Sequence, residues 1–324
     1  MKHEALLNLF EEKPGEFISG EEISRQLLIS RSAVWKQINK LRELGYEFEA
    51  ISRVGYRISG TPDLLNAMEI QMALKTRRFG RKVKIIETTS STQEDAARLA
   101  EEGAAEGTLV IANEQTAGRG RQGRKFYSPR GKGIWMTLLL RPEKPLPYTP
   151  QLTLLSGVAV CRAIRQLTGV EAGIKWPNDL LVNGRKICGI LLESAAEDEL
   201  VRYCLAGIGI DANVEPEDYP EELRSIATSL KAEAGNKINR NQLIAAIMNE
   251  FEMLYDLYCT EGFQPIAALW EALSVSLGRE VRTKSRLGPV TGIARGLDES
   301  GALIVEQSSG ERLVVFSGEI ELGT

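Results

Sequence analysis

The sequence predicts an α+β fold in three parts, and three observations carry that prediction. Two helix-length runs with apolar stripes, separated by a two-residue break, occupy the first sixty residues. Strand-like and helix-like runs then mix without a repeating order from about residue 64 to 273. The last fifty residues hold only short strand-length runs separated by glycine turns. This order suits a central sheet with helices on one side and a small domain at each end, with boundaries expected at 1–62, 63–274 and 275–324. The 324 residues, 43% hydrophobic and 26% charged, leave room for a sizeable core.

In the first part, Ser19 or Gly20 caps a helix running to Leu28, with Ile23, Leu27 and Leu28 as its apolar side. Ile29-Ser30 breaks it. A second helix begins at Ser30 or Arg31, and Val34, Ile38 and Leu41 form its buried stripe. Helices so joined are a helix-turn-helix signature. Between Arg31 and Arg42 the second helix has four cations (Arg31, Lys36, Lys40, Arg42) and no acid. Ser32, Lys36, Asn39 and Lys40 lie off the apolar stripe, where a major groove would meet them. Trp35 is expected to pack in the core. Strand candidates 46–51 and 56–58 flank a turn at 52–55 and complete a winged helix, with Arg53 and Arg57 placed for phosphates. Residues 1–60 hold nine Lys/Arg and nine Asp/Glu, so a helical interaction domain that never meets DNA is the competing reading.

Gly60 to Asp63 reads as a linker, and a strand is expected at 83–87. Ser91 and Glu94 match a capping box that opens a helix to about Leu99. Apolar strands 108–112 and 134–140 bracket a glycine-rich stretch, and a long helix covers about 150–167. Asn183-Gly184 between apolar runs is the strongest hairpin signal in the chain. Strands 187–191 and 200–211 follow, the second ending Gly207-Ile208-Gly209-Ile210, and then helices 240–259 and 263–273. Strand candidates 281–283, 290–294, 303–306 and 313–316, with turns at Gly288-Pro289 and Glu299-Ser300-Gly301, predict a small β-barrel.

The net charge of −4 gives no global attraction to polyanions, so any nucleic-acid contact must come from a local patch. The opening MKHEALLNLFEEK lacks a basic region followed by an apolar run, and no segment approaches the roughly 18 apolar residues of a membrane span. A cytoplasmic protein without membrane contact is expected. Cys161, Cys188, Cys204 and Cys259 are far apart in apolar contexts and read as buried, reduced thiols. The only histidine, His3, lies near an end expected to be disordered. That excludes a Ser-His-Asp triad, a Cys-His pair and a multi-histidine zinc site, and no protein-built metal site is expected. Chemistry falls to lysine, arginine, carboxylates and backbone groups, which favours adenylyl or phosphoryl transfer.

Residues 118–129 read GRGRQGRKFYSP. Gly118, Gly120 and Gly123 alternate with Arg119, Arg121 and Arg124, and Lys125 follows. Four cations this close repel, which predicts a mobile loop that closes on an anion and brings backbone N–H groups to it. A solvated surface turn is the plainer alternative. Lys186 sits at the mouth of an apolar strand, and Asp179 follows the rigid Trp176-Pro177-Asn178. Alone, these would be a snorkelling lysine and a turn-capping aspartate. With the Ser91-Thr92-Gln93 helix start they make a site of two anion-holding elements, one fixed cation and one fixed acid. There is no GxxxxGK[ST] and no GxGxxG between a strand and a helix, so P-loop and Rossmann readings fail.

GRGRQGRKFYSP, KWPNDLL and RKICGILLE resemble the biotin protein ligases. With its winged helix, the whole chain is similar to the bifunctional members that also repress the biotin operon. The resemblance implies that biotin and ATP, with Mg²⁺, give biotinyl-5′-AMP and pyrophosphate. Biotin then passes to a lysine of the biotin carboxyl carrier protein of acetyl-CoA carboxylase. It also implies that the adenylate drives homodimerisation and binding to operator DNA of the biotin genes, and that the tail is an SH3-like barrel. Carried onto this sequence, biotin contacts come from Ser91, Thr92, Gln93, Gln115, Arg119, Gly120 and Arg121, with Lys186 at the activated carboxyl and phosphate. Arg119 and Lys186 offset the repulsion as a carboxylate attacks the α-phosphate. Asp179 matches an aspartate of the transfer step. A free carboxylate is a far weaker base than a lysine amine, so Asp179 reads as an orienting acceptor first and a proton acceptor second.

Two positions depart from the family pattern. Phe126 stands where tryptophan is common, which leaves a smaller ring to stack on the adenine side. Asp211 replaces the asparagine of a GIN-type motif, exchanging a donor-acceptor amide for an acceptor. Arg31, Ser32, Lys36, Lys40 and Arg53 are the expected DNA contacts. Three other functions stay open from the sequence: a non-catalytic biotin-sensing transcription factor, a lipoate ligase, and a biotin ligase without DNA binding. The second lacks both this winged helix and the GRGRQGR pattern.

Overall fold

Helix α1 (Lys2–Glu11) is the first element and one the sequence reading missed. The computed structural model describes residues 2–43, 46–60, 63–142, 145–197, 200–285, 288–316 and 318–323. Its contacts divide into two units, Met1–Leu64 and Leu65–Thr324. In the first, α1 is followed by α2 (Gly20–Leu27), α3 (Arg31–Glu43) and a hairpin of β1 (Glu47–Ile51) and β2 (Gly55–Gly60). Leu6, Leu9 and Phe10 recur at helical spacing and close the core that Ile23, Val34, Ile38 and Leu41 begin. Burying that stripe orders the end expected to be disordered. The Ser19 hydroxyl accepts the Glu22 N–H at 3.1 Å, a cap that contributes about 1 kcal/mol.

Two expected core residues lie outside this core. Leu28 ends α2 in the left-handed region (φ 52) and the turn throws its side chain outward, 91% exposed. Trp35 is 55% exposed because it lies one step off the Val34, Ile38, Leu41 stripe. The hairpin is tied to the helices where Ile18 and Tyr56 exchange backbone hydrogen bonds of 2.8 and 2.9 Å. Gly55 is required there: a Cβ would stand 2.2 Å from the Ile18 carbonyl oxygen.

The second unit runs α4 (Ala67–Ala73), β3 (Val83–Ile86), α5 (Thr92–Glu101), β4 (Leu109–Ala112), β5 (Ile134–Leu140), α6 (Thr149–Thr168), β6 (Gly173–Lys175), β7 (Asp179–Val182), β8 (Arg185–Glu197), β9 (Leu200–Ile210), α7 (Leu230–Ala234), α8 (Arg240–Glu261) and α9 (Gln264–Leu273). The short helices α4 and α7 carry too few residues to show a period in the sequence. The strands form one seven-stranded sheet in the order β3-β4-β5-β9-β8-β7-β6. Its β3·β4 pair is parallel and the remaining pairs are antiparallel, so the sheet is mixed as expected.

Helices cover both faces, which corrects the expectation of one side. Leu109, Leu138 and Ala206 face the large core with α6 and α8. Their neighbours Val110, Leu139 and Leu205 face the other way and pack on Ala96 and Ala100 of α5. Side chains alternate along a strand, and these strands are apolar on both phases, so a second cover is needed. α5 covers only part of that face. Beyond it the strands carry Gly189, Gly207 and Gly209, and the sheet surface lies low.

The chain ends in β10 (Glu280–Ser285), β11 (Gly288–Leu297), β12 (Leu303–Glu306), β13 (Arg312–Val315) and β14 (Ile320–Leu322). They form the SH3-like domain, an antiparallel sheet in the order β13-β12-β11-β10-β14. This domain belongs to the second unit. Trp176 donates its indole N–H to the Gly301 carbonyl at 3.2 Å, and Val281, Leu303 and Ile320 join the large core.

Candidate functional site

The three glycines make the floor of a cavity of about 460 Å³. In β9 the alternation Gly207-Ile208-Gly209-Ile210 sends both isoleucines into the core and leaves the opposite face without side chains. Two groups lie directly on that face. A Cβ on Gly207 would meet Gln93 Nε2 at 2.4 Å, and one on Gly209 would meet Phe126 Cε1 at 2.5 Å.

At one end the walls are uncharged and polar. Ser91 caps α5, accepting the Gln93 N–H at 3.3 Å. The expected capping box is not completed: Glu94 accepts from the Ser90 hydroxyl at 2.5 Å instead of reaching back to Ser91 N–H. Gln115 accepts from Thr92 N–H at 2.9 Å and from its hydroxyl at 3.0 Å, and donates to Ser128 Oγ at 3.0 Å. Gln93 donates to the Leu191 carbonyl at 2.8 Å. Its Oε1 is buried, with no hydrogen-bond partner among the described residues.

The glycine-arginine segment folds over the floor as a small hairpin. Phe126 N–H donates to Gly118 O at 2.8 Å and Gly120 N–H to Arg124 O at 2.7 Å, with Gln122 and Gly123 at positive φ in the bend. The segment thus closes backbone hydrogen bonds of its own, and its cations are kept apart by acids. Arg119 lies 3.2 Å from Glu193 and 3.6 Å from Glu94, while Arg124 pairs with Glu319 of the SH3-like domain. Arg121 turns inward and donates to the Asn178 side-chain amide oxygen, Oδ1, at 3.4 Å. Burial lowers its pKa from the usual guanidinium value, opposed by Asp179 and Glu319.

Strands β7 and β8 supply the fixed cation and acid. Asp179 pairs in register with Gly189, and Lys186 sits three residues before that glycine, with its ammonium crossing the glycine surface. Lys186 Nζ thereby reaches Asp179 Oδ1 at 2.7 Å, an ion pair outside hydrogen-bond alignment, and stands 5.7 Å from the Phe126 ring centroid. Asn178 locks the approach, accepting Ile190 N–H at 2.9 Å and donating to Ile190 O at 2.8 Å. Ser91, Thr92, Gln93, Gln115, Arg119, Gly120, Arg121, Phe126, Asp179 and Lys186 all line this one cavity.

Comparison with known proteins bears directly on this geometry. The model of the Biotin/lipoate A/B protein ligase family matches residues 85–211, an HTH domain model matches 2–57, and the Biotin protein ligase C terminal domain matches 276–323. The Bifunctional ligase/repressor BirA of Bacillus subtilis is 47% identical over 318 residues, 98% of each chain. The chain belongs to the family of bifunctional biotin ligase/repressors. BirA of Escherichia coli is 32% identical over 294 residues, 90% of this chain and 89% of its own. Biotin protein ligase from Aquifex aeolicus in complex with biotin and ATP superposes with a TM-score of 0.65 at 29% identity, covering 75% of this chain and 99% of that one.

At the two departures from the family pattern, the structure gives particulars. Phe126 lies flat on the glycine floor with Trp135 edge-on, ring centroids 5.9 Å apart. Asp211 is 8% exposed on the cavity wall. Burial pushes its carboxyl up to about 8, against the opposing pull of the Tyr219 hydroxyl and Lys186. In its protonated form the carboxyl has one O–H donor beside its acceptor, where an asparagine amide has two N–H donors.

Several wall residues carried no signal that the sequence reading used. Tyr219 and Ile226 come from the irregular segment after β9, and Glu319 and Ile320 from the far end of the chain. Lys175 and Asn178 line the cavity as well; they lie within the KWPNDLL motif, from which only Asp179 was assigned to the site. Among the described residues no cluster of three or more His, Cys, Asp or Glu forms a metal site, and no helix is long and apolar enough to cross a membrane. Cys161, Cys188 and Cys204 are buried, whereas Cys259 is exposed, contrary to expectation.

In the first unit, Arg31, Ser32, Lys36 and Lys40 are exposed along α3, and Arg53 is exposed at the hairpin tip with φ 67. Arg31 pairs with Glu21 at 2.5 Å. Arg57 is not free for phosphate as expected. It pairs with Glu49 and lies 4.7 Å from the Phe17 ring centroid.

Proposed function

We propose that this chain condenses biotin with ATP to biotinyl-5′-AMP, transfers the biotin to a carrier-protein lysine, and represses transcription when the adenylate is bound. The observation that carries the reading is one cavity with a neutral amide end and a cationic middle over a glycine floor. A fused-ring urea with a carboxylate tail has that polarity. The open Gln93 Oε1 and the Thr92–Gln115 pair suit urea N–H and C=O groups. Arg119, Arg121 and Lys186 then meet the carboxylate and the α-phosphate.

The acids now paired with Arg119 and Lys186 hold those side chains in place until an anion replaces them. When the carboxylate oxygen attacks the α-phosphorus, pyrophosphate leaves and negative charge builds on the phosphoryl oxygens. Lys186 and Arg121 stabilise that charge from fixed positions. The loop hairpin and the Phe126 ring exclude water from the mixed anhydride. In the second step a neutral carrier lysine attacks the acyl carbon and AMP departs, with Asp179 orienting the amine. Magnesium is taken to enter with the substrate as MgATP, whose phosphates supply its oxygen ligands.

The further parts of the proposal are a cytoplasmic location, a biotin carboxyl carrier protein of acetyl-CoA carboxylase as acceptor, operator DNA of biotin genes, and a homodimer formed with adenylate. The test follows pyrophosphate on mixing protein, biotin, ATP and Mg²⁺, with lipoate as competitor. Release dependent on biotin and indifferent to lipoate is expected. No release would favour a non-catalytic sensor, and lipoate-dependent release a lipoate ligase. A gel shift on the biotin-gene promoter, with and without adenylate, tests repression, and ultracentrifugation tests dimerisation.

A further inference from the structure

Trp35 is the one large apolar side chain left exposed on α3 among the described residues, and its surroundings indicate what covers it. Arg31 and Asn39 lie one turn before and one turn after it, and Ser32 and Lys36 flank it on the exposed side. The buried stripe of Val34, Ile38 and Leu41 is complete without it. The helix holds no acid from Arg31 to Arg42, and exposed Arg53 adds a cation at the hairpin tip. An indole ring in the middle of a cationic strip needs a partner that is anionic yet offers apolar contact at the same place. Duplex DNA does so: phosphates line the major groove, and its floor presents the C5-methyl groups of thymine.

We propose that Trp35 is a base-reading residue of α3, packing its indole against thymine methyl groups in the major groove. The proposal rests on the DNA-binding reading above and adds recognition of the thymine methyl, an apolar group that no charge on α3 can read. Lys36 and Lys40, and Arg31 once it exchanges Glu21 for a phosphate, give affinity for the backbone, whereas Trp35 responds to the thymine methyls. An acidic protein surface could also meet the cations, but it would give no dependence on thymine methyls.

The test uses the full chain with biotin, ATP and Mg²⁺ to select duplexes from a randomised pool. In the selected duplex each thymine is then replaced singly by uracil, which removes the methyl and leaves base pairing intact. For the wild-type chain, uracil at one or two positions of each half-site is expected to weaken binding several-fold. Trp35→Ala is expected to bind the parent duplex about tenfold more weakly. It should lose nothing further at those positions, while Trp35→Phe keeps the sensitivity. Pyrophosphate release by Trp35→Ala stays at the wild-type rate, which controls for the second unit, and an unchanged far-UV circular dichroism spectrum and unfolding midpoint control for the first. Parent affinity unchanged in Trp35→Ala, or uracil losses that persist in it, would overturn the proposal. Selection of no duplex by the wild-type chain would overturn the DNA-binding reading and this inference with it.

Discussion

Replacing Gly209 by alanine puts a methyl carbon 2.5 Å from Phe126 Cε1 and 2.7 Å from Cζ, where ordinary contact is 3.4–4 Å. The ring must move by about 1 Å. The glycine surface is shared with the Lys186 side chain, which crosses Gly189 beside the other edge of the ring. Trp135 blocks the inner side. Overpacking of this kind costs about 1–3 kcal/mol, roughly a 5- to 150-fold change in an equilibrium. Phe126 is carried by the loop hairpin, so the cost falls on loop closure and not on the folded core. Gly209→Ala is therefore expected to raise the KM for ATP in the pyrophosphate assay by one to two orders of magnitude. Its Tm should move by only a degree or two. Phe126→Ala removes the clash, so the double variant should be no worse than Phe126→Ala alone. Independent, multiplying losses in the double variant, or an unchanged KM for ATP in Gly209→Ala, refute the packing argument.

Asp179→Ala releases Lys186 from its 2.7 Å partner and removes the proposed amine acceptor. Transfer of labelled biotin to carrier should fall by at least about tenfold, with pyrophosphate release less affected; unchanged transfer refutes the role. Asp211 has a folded pKa of about 8, above its ordinary 3.8. Its contribution to stability is complete below the unfolded value and is lost as pH rises towards 8. The Tm of Asp211→Asn should therefore gain on wild type between pH 5 and 8 and level off beyond; a constant gap contradicts the burial. Burial raises the Cys161 thiol to about 11 and the Cys204 thiol to about 12, and Cys188 is also shielded, while Cys259 is exposed. DTNB should titrate one thiol of the four in the native chain and the rest only in denaturant. Rapid reaction of a second thiol under native conditions goes against that packing.

Much of the fold was legible where its cause is local. The Val34, Ile38, Leu41 stripe, the Asn183-Gly184 turn and the long helix α6 each follow from residues within a few turns of one another. The site residues were legible as types, since Lys186, Asp179 and the arginines stand in dense motifs. The errors fell where a neighbour distant in sequence decides. Leu6, Leu9 and Phe10 look like part of a charged end until the rest of the first core is in place. Val110 and Leu139 read simply as apolar, and only the sheet register shows that they face away from the large core towards α5. Arg57 reads as a phosphate contact until Phe17 and Glu49 are seen to hold it.

The sequence by itself determined the three-part order, the absence of histidine chemistry and the dense cationic loop, because composition and short periodicities are local. It also placed glycines at 189, 207 and 209 without saying what they admit. Only the tertiary structure decided that these three share one face, that Lys186 crosses Gly189 to Asp179, and that Phe126 rests on Gly209. It decided as well that Arg119 meets Glu193, and Arg124 meets Glu319 from the far end of the chain. The physical reason is register. Strand pairing brings together side chains from distant segments, and a shift of one residue would turn each to the opposite face.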